Sequence, residues 1–249
     1  WVRKDKLFRI LTACSMCLLL FAAVVTYLNI SKDFVNINQY HSMTRGVLKQ
    51  SDNPETTLKS FGIDEQYAIL KDSIYYEQYG TVDVNSLNLQ KDFYSKYGFG
   101  SILKFYVTNP GKLSTILNEA ARSAFTIKPA AMGNYEESVG KAFRQQSHFF
   151  SVYSLLKEKL TPKTFGFIIL WMIAAIGLCL PSFRSDIKSG NTRGMFRLIL
   201  VVMTMGIGLS GILVSIIGAG DADISKHEFL FTLSFDLVSL LTFSGLINR

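Results

Sequence analysis

Cysteine is scarce in this sequence: three residues in 249, Cys14, Cys17 and Cys179, all inside apolar runs. The long polar stretch between the first two of those runs contains none, so no disulfide framework holds it and it must be stabilised by packing. Cys14 and Cys17 form a CxxC. One turn apart in an apolar run and without a second pair, they read as small packing residues rather than a metal or redox site. Internal repeats, low-complexity tracts, a Walker motif, a GxGxxG and an HExxH are also missing, which leaves nucleotide hydrolysis and zinc proteolysis without support.

What the sequence has is long runs free of charge. Ile10 to Ile30 and Leu198 to Gly218 each carry 21 residues without a charge; Phe165 to Leu180 is shorter and stops at Pro181; Phe229 to Ile247 has 19 residues and a single charge, Asp236. A membrane-spanning helix needs about 20 apolar residues, so the sequence predicts an all-α integral membrane protein with four transmembrane helices. The predicted order is a basic segment 1–9, a span 10–30, a mainly helical extracytoplasmic domain 31–163, a span 164–181, a basic loop 182–197, a span 198–218, a short loop 219–228 and a span 229–247. The basic stretch before Ile10 resembles a signal-peptide start, but the run is longer than such a core and three further spans follow.

The net charge of +7 is not spread evenly. Residues 1–9, the loop after Pro181 and the C-terminus share one side and hold Arg3, Lys4, Lys6, Arg9, Arg184, Lys188, Arg193, Arg197 and Arg249 against Asp5 and Asp186 alone; the rest of the chain is neutral. The positive-inside rule makes that side cytoplasmic and predicts a bacterial multipass membrane protein with both ends of the segment inside. The basic pI is thereby a topology signal, and no nucleic-acid partner is needed. The chain starts on Trp rather than Met, so it is expected to be part of a longer protein or a processed form.

The 31–163 region reads as short helices. Residues 34–48 suit a helical turn on the membrane surface. SDNPETTLKSFGI suits a helix capped by Asp52 or Asn53, opened by Pro54 and stopped at Gly62. DEQYAIL, LNLQKDFYSKYG, SILKFYVTNPG and the stretch after Pro110 read as further helices, the last with Asn109 as cap and Leu113, Ile116, Leu117 and Ala120 on one stripe. Residues 73–84 read as loop or a short strand pair, and 125–136 as an irregular loop. Residues 138–160 read as one interfacial helix carrying Phe143, Phe149, Phe150, Tyr153 and Leu156. The abundant Tyr and Phe suit membrane anchoring or a platform for a sugar ring or polyprenyl chain. In the third span, Gly206, Ser210, Gly211 and Ser215 make overlapping small-xxx-small pairs, a pattern for close helix packing.

Chemistry concentrates near Gly218 to Leu241. Asp221, Asp223, Lys226 and His227 stand just before the last apolar run, and Asp236 lies inside it; an ionisable group in a span faces other helices or a cavity and is a candidate functional residue. His41 follows the first span as His227 precedes the last, so the two are expected near each other with Arg45. The set suits a phosphate, or a divalent cation on a lipid pyrophosphate; no pair shows diagnostic metal-ligand spacing. The alternative is acid–base pairing and headgroup hydrogen bonds alone. Thr232 and Ser239 share a face with Asp236, a polar stripe turned toward other helices.

The runs NQYHSMTRGVLKQSDNPETTLKSFGI, FYVTNPGKL with GNYE, and GDADISKHEFLFTLSFD resemble the C-terminal half of bacterial GT-C-type glycosyltransferases, multipass hexose transferases of cell-wall and surface-glycan pathways. Thr232 stands where that pattern has Asn, and Glu228 where it has an apolar residue. The resemblance implies transfer of a hexose from a polyprenyl-phosphate donor to a surface glycan, with the catalytic base in an N-terminal half outside this chain. It further implies Lys226 and His227 as phosphate contacts, His41 and Arg45 beside them, and Asn134, Tyr135 and Glu136 on the acceptor side or structural. The competing layout is a permease similar to FtsX and MacB, working with a separate ATPase through the loop 182–197; a third is a non-catalytic assembly factor.

Overall fold

The computed structural model describes residues 5–76, 82–129, 132–133 and 135–247. Asn134, the orienting charges Arg3, Lys4 and Arg249, and residues 77–81 of the expected loop or strand pair lie outside the described residues. Among the described residues every regular element is helical. The described residues form eleven α-helices: α1 Lys6–Leu28, α2 Lys32–His41, α3 Pro54–Ser60, α4 Leu87–Asp92, α5 Phe99–Thr108, α6 Pro110–Ser123, α7 Val152–Leu160, α8 Phe165–Ser189, α9 Thr192–Ala219, α10 Ile224–His227 and α11 Phe229–Ile247. Four are long and apolar enough to cross a membrane: α1, α8, α9 from Gly194, and α11.

The chain divides into two compact units, residues 1–38 and 39–249. In the first, Asp5 caps α1 by accepting the Leu7 N–H at 3.0 Å, and the helix is exposed along its whole length. Its few polar side chains are satisfied within the helix: Thr12, Ser15 and Thr26 each donate to the carbonyl four residues back. That is how a hydroxyl is tolerated in hydrocarbon, where no water replaces the missing partner.

In the second unit, the last residues of α2, Gln39–His41, run directly into a π-helical segment, Ser42–Leu48, in which every residue but Arg45 is buried. This segment lies in the core instead of on a surface. The wider turn leaves backbone acceptors to side chains, and Thr44 Oγ1 donates to the carbonyls of Tyr40 and Ser73, both at 3.0 Å. Around it Tyr40, Tyr67, Tyr75, Phe93, Tyr94 and Tyr97 pack edge-on or tilted, with centroids about 5 to 7 Å apart, so most aromatics of this region build the core. The capped helix expected after Ser51 forms: Asn53 Oδ1 accepts the Thr56 N–H at 2.9 Å, Pro54 opens the helix, and Gly62 ends it at φ +72°. Residues 138–160 are not one helix. A 3-10 turn ends at Gly140 (φ +67°), Arg144 and Phe150 also take positive φ, and the helix begins only at Val152.

The three spans of this unit pack on one another. α8 passes through Pro181 and continues to Ser189, so the basic stretch after Pro181 is two helix ends joined at Gly190 and Asn191. Gly190 takes φ +68°, and Asn191 both caps α9 and donates to Asp186 Oδ1 at 2.8 Å. Ala175 and Cys179 of α8, Val201 and Met205 of α9, and Val238 of α11 form the shared core. α9 and α11 approach closely at Gly208, where a Cβ would stand 2.8 Å from that of Ser234; Gly211 faces Leu230, whereas Gly206 meets nothing within 4 Å. The small-residue seam is thus real but shifted by part of a turn from the expected pairs.

Candidate functional site

The end of α9 is held by a backbone-to-backbone contact. Gly220 takes φ +60° and ψ −130°, a conformation essentially restricted to glycine, and a Cβ there would lie 2.4 Å from the Gly46 nitrogen. This brings Asp221 against the π segment. Arg45 grips its carboxylate with two hydrogen bonds, Nε to Oδ1 at 2.8 Å and Nη2 to Oδ2 at 2.9 Å, and Nη1 donates to the Asp72 carbonyl at 3.0 Å. Lys49 contacts the second Asp221 oxygen and also donates to Glu119 Oε1 of α6 at 3.0 Å. Burial alone would pull the Lys49 pKa down, but its hydrogen bonds to Asp221 and Glu119 leave it raised. The Asp221 side chain is 6% exposed, and two cations offset the cost of burying its charge.

His41 sits at the near edge of this cluster. It is buried, and its Nε2 accepts the Tyr75 N–H at 3.0 Å, so that nitrogen carries no proton. Burial lowers its pKa most, and Arg45 and His227 act in the same direction against the opposing pull of Asp223 and Asp221. On α10, Lys226 pairs with Asp223 at 2.8 Å, and both Lys226 and His227 are exposed. Arg45 and Asp221 are thus occupied with each other, while Lys226 and His227 face outward.

Asp236 lies apart from this corner, with a partner that the sequence did not disclose. Lys157 Nζ donates to both of its oxygens at 2.8 Å, and the Tyr153 hydroxyl donates to Oδ1 at 2.7 Å. The Lys157 side chain is 3% exposed. The rest of the stripe is satisfied by neighbours: Thr232 donates to the Ala124 carbonyl at 2.6 Å, and Ser239 accepts Trp171 Nε1 at 3.2 Å. Beside the pair runs a groove of about 520 Å³ between α7, α8 and α11, walled by Leu156, Trp171, Leu178, Phe235 and Phe243.

Glu228, noted in the sequence only as a departure, is fully buried with neither carboxylate oxygen hydrogen-bonded, and desolvation pushes its pKa up to about 9. It is therefore neutral near pH 7. Tyr106 on α5 likewise has a buried hydroxyl without a partner. Tyr135 and Glu136 are exposed on the connection before α7, where Lys141 stands 5.9 Å over the Tyr135 ring; no described hydrogen bond or ion pair ties them to the α10 corner. Among the described residues no three His, Cys, Asp or Glu side chains gather as a metal site. Lys49 and Glu119 were missed. The signal for Lys49 was legible, since His41, Arg45 and Lys49 recur at i, i+4 and i+8 on one helix face.

One family model matches the chain, over residues 1–249: that of the YfdI N-terminal transmembrane domain. No curated protein and no solved structure matches it.

Proposed function

The chain belongs to the YfdI N-terminal transmembrane domain family, a family of membrane proteins, and on that premise we propose that it is the membrane part of a glycosyltransferase. In this reading the protein moves a hexose from a polyprenyl-phosphate donor to a surface glycan, on the membrane face opposite the basic α8–α9 turn. That face is extracytoplasmic in a bacterial cell membrane, as the distribution of basic residues implies. The family's description is of an N-terminal domain, whereas the sequence resemblance is to a C-terminal half, so neither the chain's position in its parent nor a catalytic base upstream enters the proposal.

The observation that carries the reading is the division of labour at the α10 corner. Arg45 and Lys49 are neutralised by Asp221 and Glu119 and fix the α9–α10 turn, and Lys226 and His227 are left exposed beside it. A lysine ammonium and an imidazole one residue apart are suited to a phosphate whose lipid chain stays in the bilayer. His41, held neutral, and Arg45 then shape the support and do not contact the phosphate. Asp223 tethers Lys226 in the absence of donor and yields it to the stronger acceptor.

The test is the double substitution Lys226→Ala and His227→Ala in the full-length protein, measured as hexose transfer from a polyprenyl-phosphate hexose. Two charge-assisted contacts, each about 1.5–3 kcal/mol, predict at least a hundredfold loss with membrane insertion unchanged. Transfer at the native rate sinks the assignment.

A further inference from the structure

The helix that ends the long connection, α7, has its position fixed by Asp236, and that position is deep. On α9 the span runs from Gly194 to Ala219, and Gly208 packs against Phe231 and Ser234 of α11. Asp236, two residues further along an antiparallel neighbour, is therefore level with about Gly206, near the middle of that span. At 1.5 Å per residue the span is about 38 Å long, and a hydrocarbon core of about 30 Å placed anywhere along it leaves Asp236 roughly 10 Å or more from both surfaces. Lys157 and Tyr153, one turn apart on α7, both reach this carboxylate. The groove they border extends to Thr242 and Phe243, further still from the Gly220 end.

The surface of α7 agrees with that depth. Val152, Leu156 and Leu160 form an i, i+4, i+8 stripe and are 70%, 51% and 74% exposed. Ser151, Ser154 and Glu158, on another face, border a polar pocket with Lys128 and His148 of the preceding connection. The helix thus turns Ser154 and Glu158 toward protein and leaves its apolar stripe uncovered, continuous with the exposed apolar surfaces of α8 and α11; Lys159, beside Leu160, is also exposed, on a stem long enough to carry its charge toward the headgroups. Phe149 and Phe150, just before it, are 79% and 93% exposed.

We propose that α7 is inserted into the bilayer, with its Val152–Leu156–Leu160 stripe and the adjoining groove covered by lipid acyl chains, and that the Lys157–Asp236 pair is an intramembrane pin holding it there. An isolated lysine at such a depth is costly, and pairing with the Asp236 carboxylate, whose Oδ1 also accepts from the Tyr153 hydroxyl, cancels the charge where no water does so. This separates α7 from a helix lying in the headgroup region, which needs no buried ion pair and leaves its lysines in water.

The experiment uses the full chain with Cys14, Cys17 and Cys179 replaced by Ala, reconstituted in phosphatidylcholine vesicles with reagent on both faces. Leu156→Cys, and separately Val152→Cys, are reacted with a charged maleimide. Lys104→Cys on exposed α5 is the aqueous control and Leu170→Cys on α8 the lipid control. Both α7 positions are expected to react at least tenfold more slowly than Lys104→Cys and to match Leu170→Cys. A rate less than tenfold below the aqueous control overturns the insertion. Leu160→Cys, read by the same criterion, replaces either variant that does not give folded protein. None of these residues belongs to the proposed phosphate site, so the outcome is independent of the glycosyltransferase reading.

Discussion

Replacing Gly220 with alanine concentrates the structural argument into one methyl group. Two costs apply. The backbone at φ +60° and ψ −130° is one that a residue with a Cβ adopts only at about 1–3 kcal/mol. The new Cβ also falls 2.4 Å from the Gly46 nitrogen and 2.6 Å from the Arg45 carbonyl carbon, both backbone atoms that no rotamer change can move. Relieving that overlap requires the π segment to withdraw from the end of α9, a strain of about 1–3 kcal/mol that also pulls Arg45 off Asp221. The sum is roughly 2–6 kcal/mol. Gly218→Ala is the matched control: two residues away, inside α9, its Cβ meets nothing within 4 Å, and alanine there gains up to about 1 kcal/mol of helix propensity. Reversible unfolding of both variants and the native protein in mixed micelles gives the comparison. If Gly220→Ala unfolds with the same free energy as Gly218→Ala, the close approach of the two backbones does not hold the corner together and the account of the Arg45–Asp221 clamp fails with it.

Two further outcomes follow from buried charge. Glu228 has its folded pKa raised to about 9 from 4.5, so between those values the folded state holds a proton that the unfolded state releases. The contribution of Glu228 to stability is fully present below about pH 4.5 and is lost toward pH 9, by up to about 1.4 kcal/mol per pH unit. Glu228→Gln keeps the shape without the titration, and its stability relative to the native protein should rise across that range; parallel curves from pH 5 to 9 contradict the burial. At the membrane pin, Asp236→Leu alone strands the Lys157 ammonium and should cost about 3–5 kcal/mol, whereas Lys157→Met with Asp236→Leu should recover most of that loss. A double variant as unstable as the single one argues against a direct pair.

The all-helical class and the four spans were legible because each rests on local composition: twenty apolar residues without charge have few folded alternatives to a membrane helix. Caps such as Asn53–Pro54 and stops such as Gly62 were legible for the same reason, each depending on residues within one turn. Boundaries read from composition alone shifted where packing intervened. Pro181 closes an apolar run but not α8, since the helix extends to Ser189 and is ended by Gly190. The reading of 138–160 as one helix gave way to turns at Gly140, Arg144 and Phe150.

At the candidate site the sequence singled out residues by type and position, and the tertiary structure decided which of them touch. That His41 and Arg45 meet the Asp221–His227 stretch followed from their places at the ends of spans. That Arg45 is consumed by Asp221 while Lys226 and His227 stay exposed did not, because the outcome depends on Gly46 and Gly220 touching across 174 positions of sequence. Asp236 was marked by its apolar surroundings, whereas Lys157 was hidden among the other lysines of its segment. Periodicity and hydropathy record what each residue prefers to face; which partner it meets is decided by long-range packing, where one missing Cβ at Gly220 or one buried ammonium at Lys157 determines how two segments join.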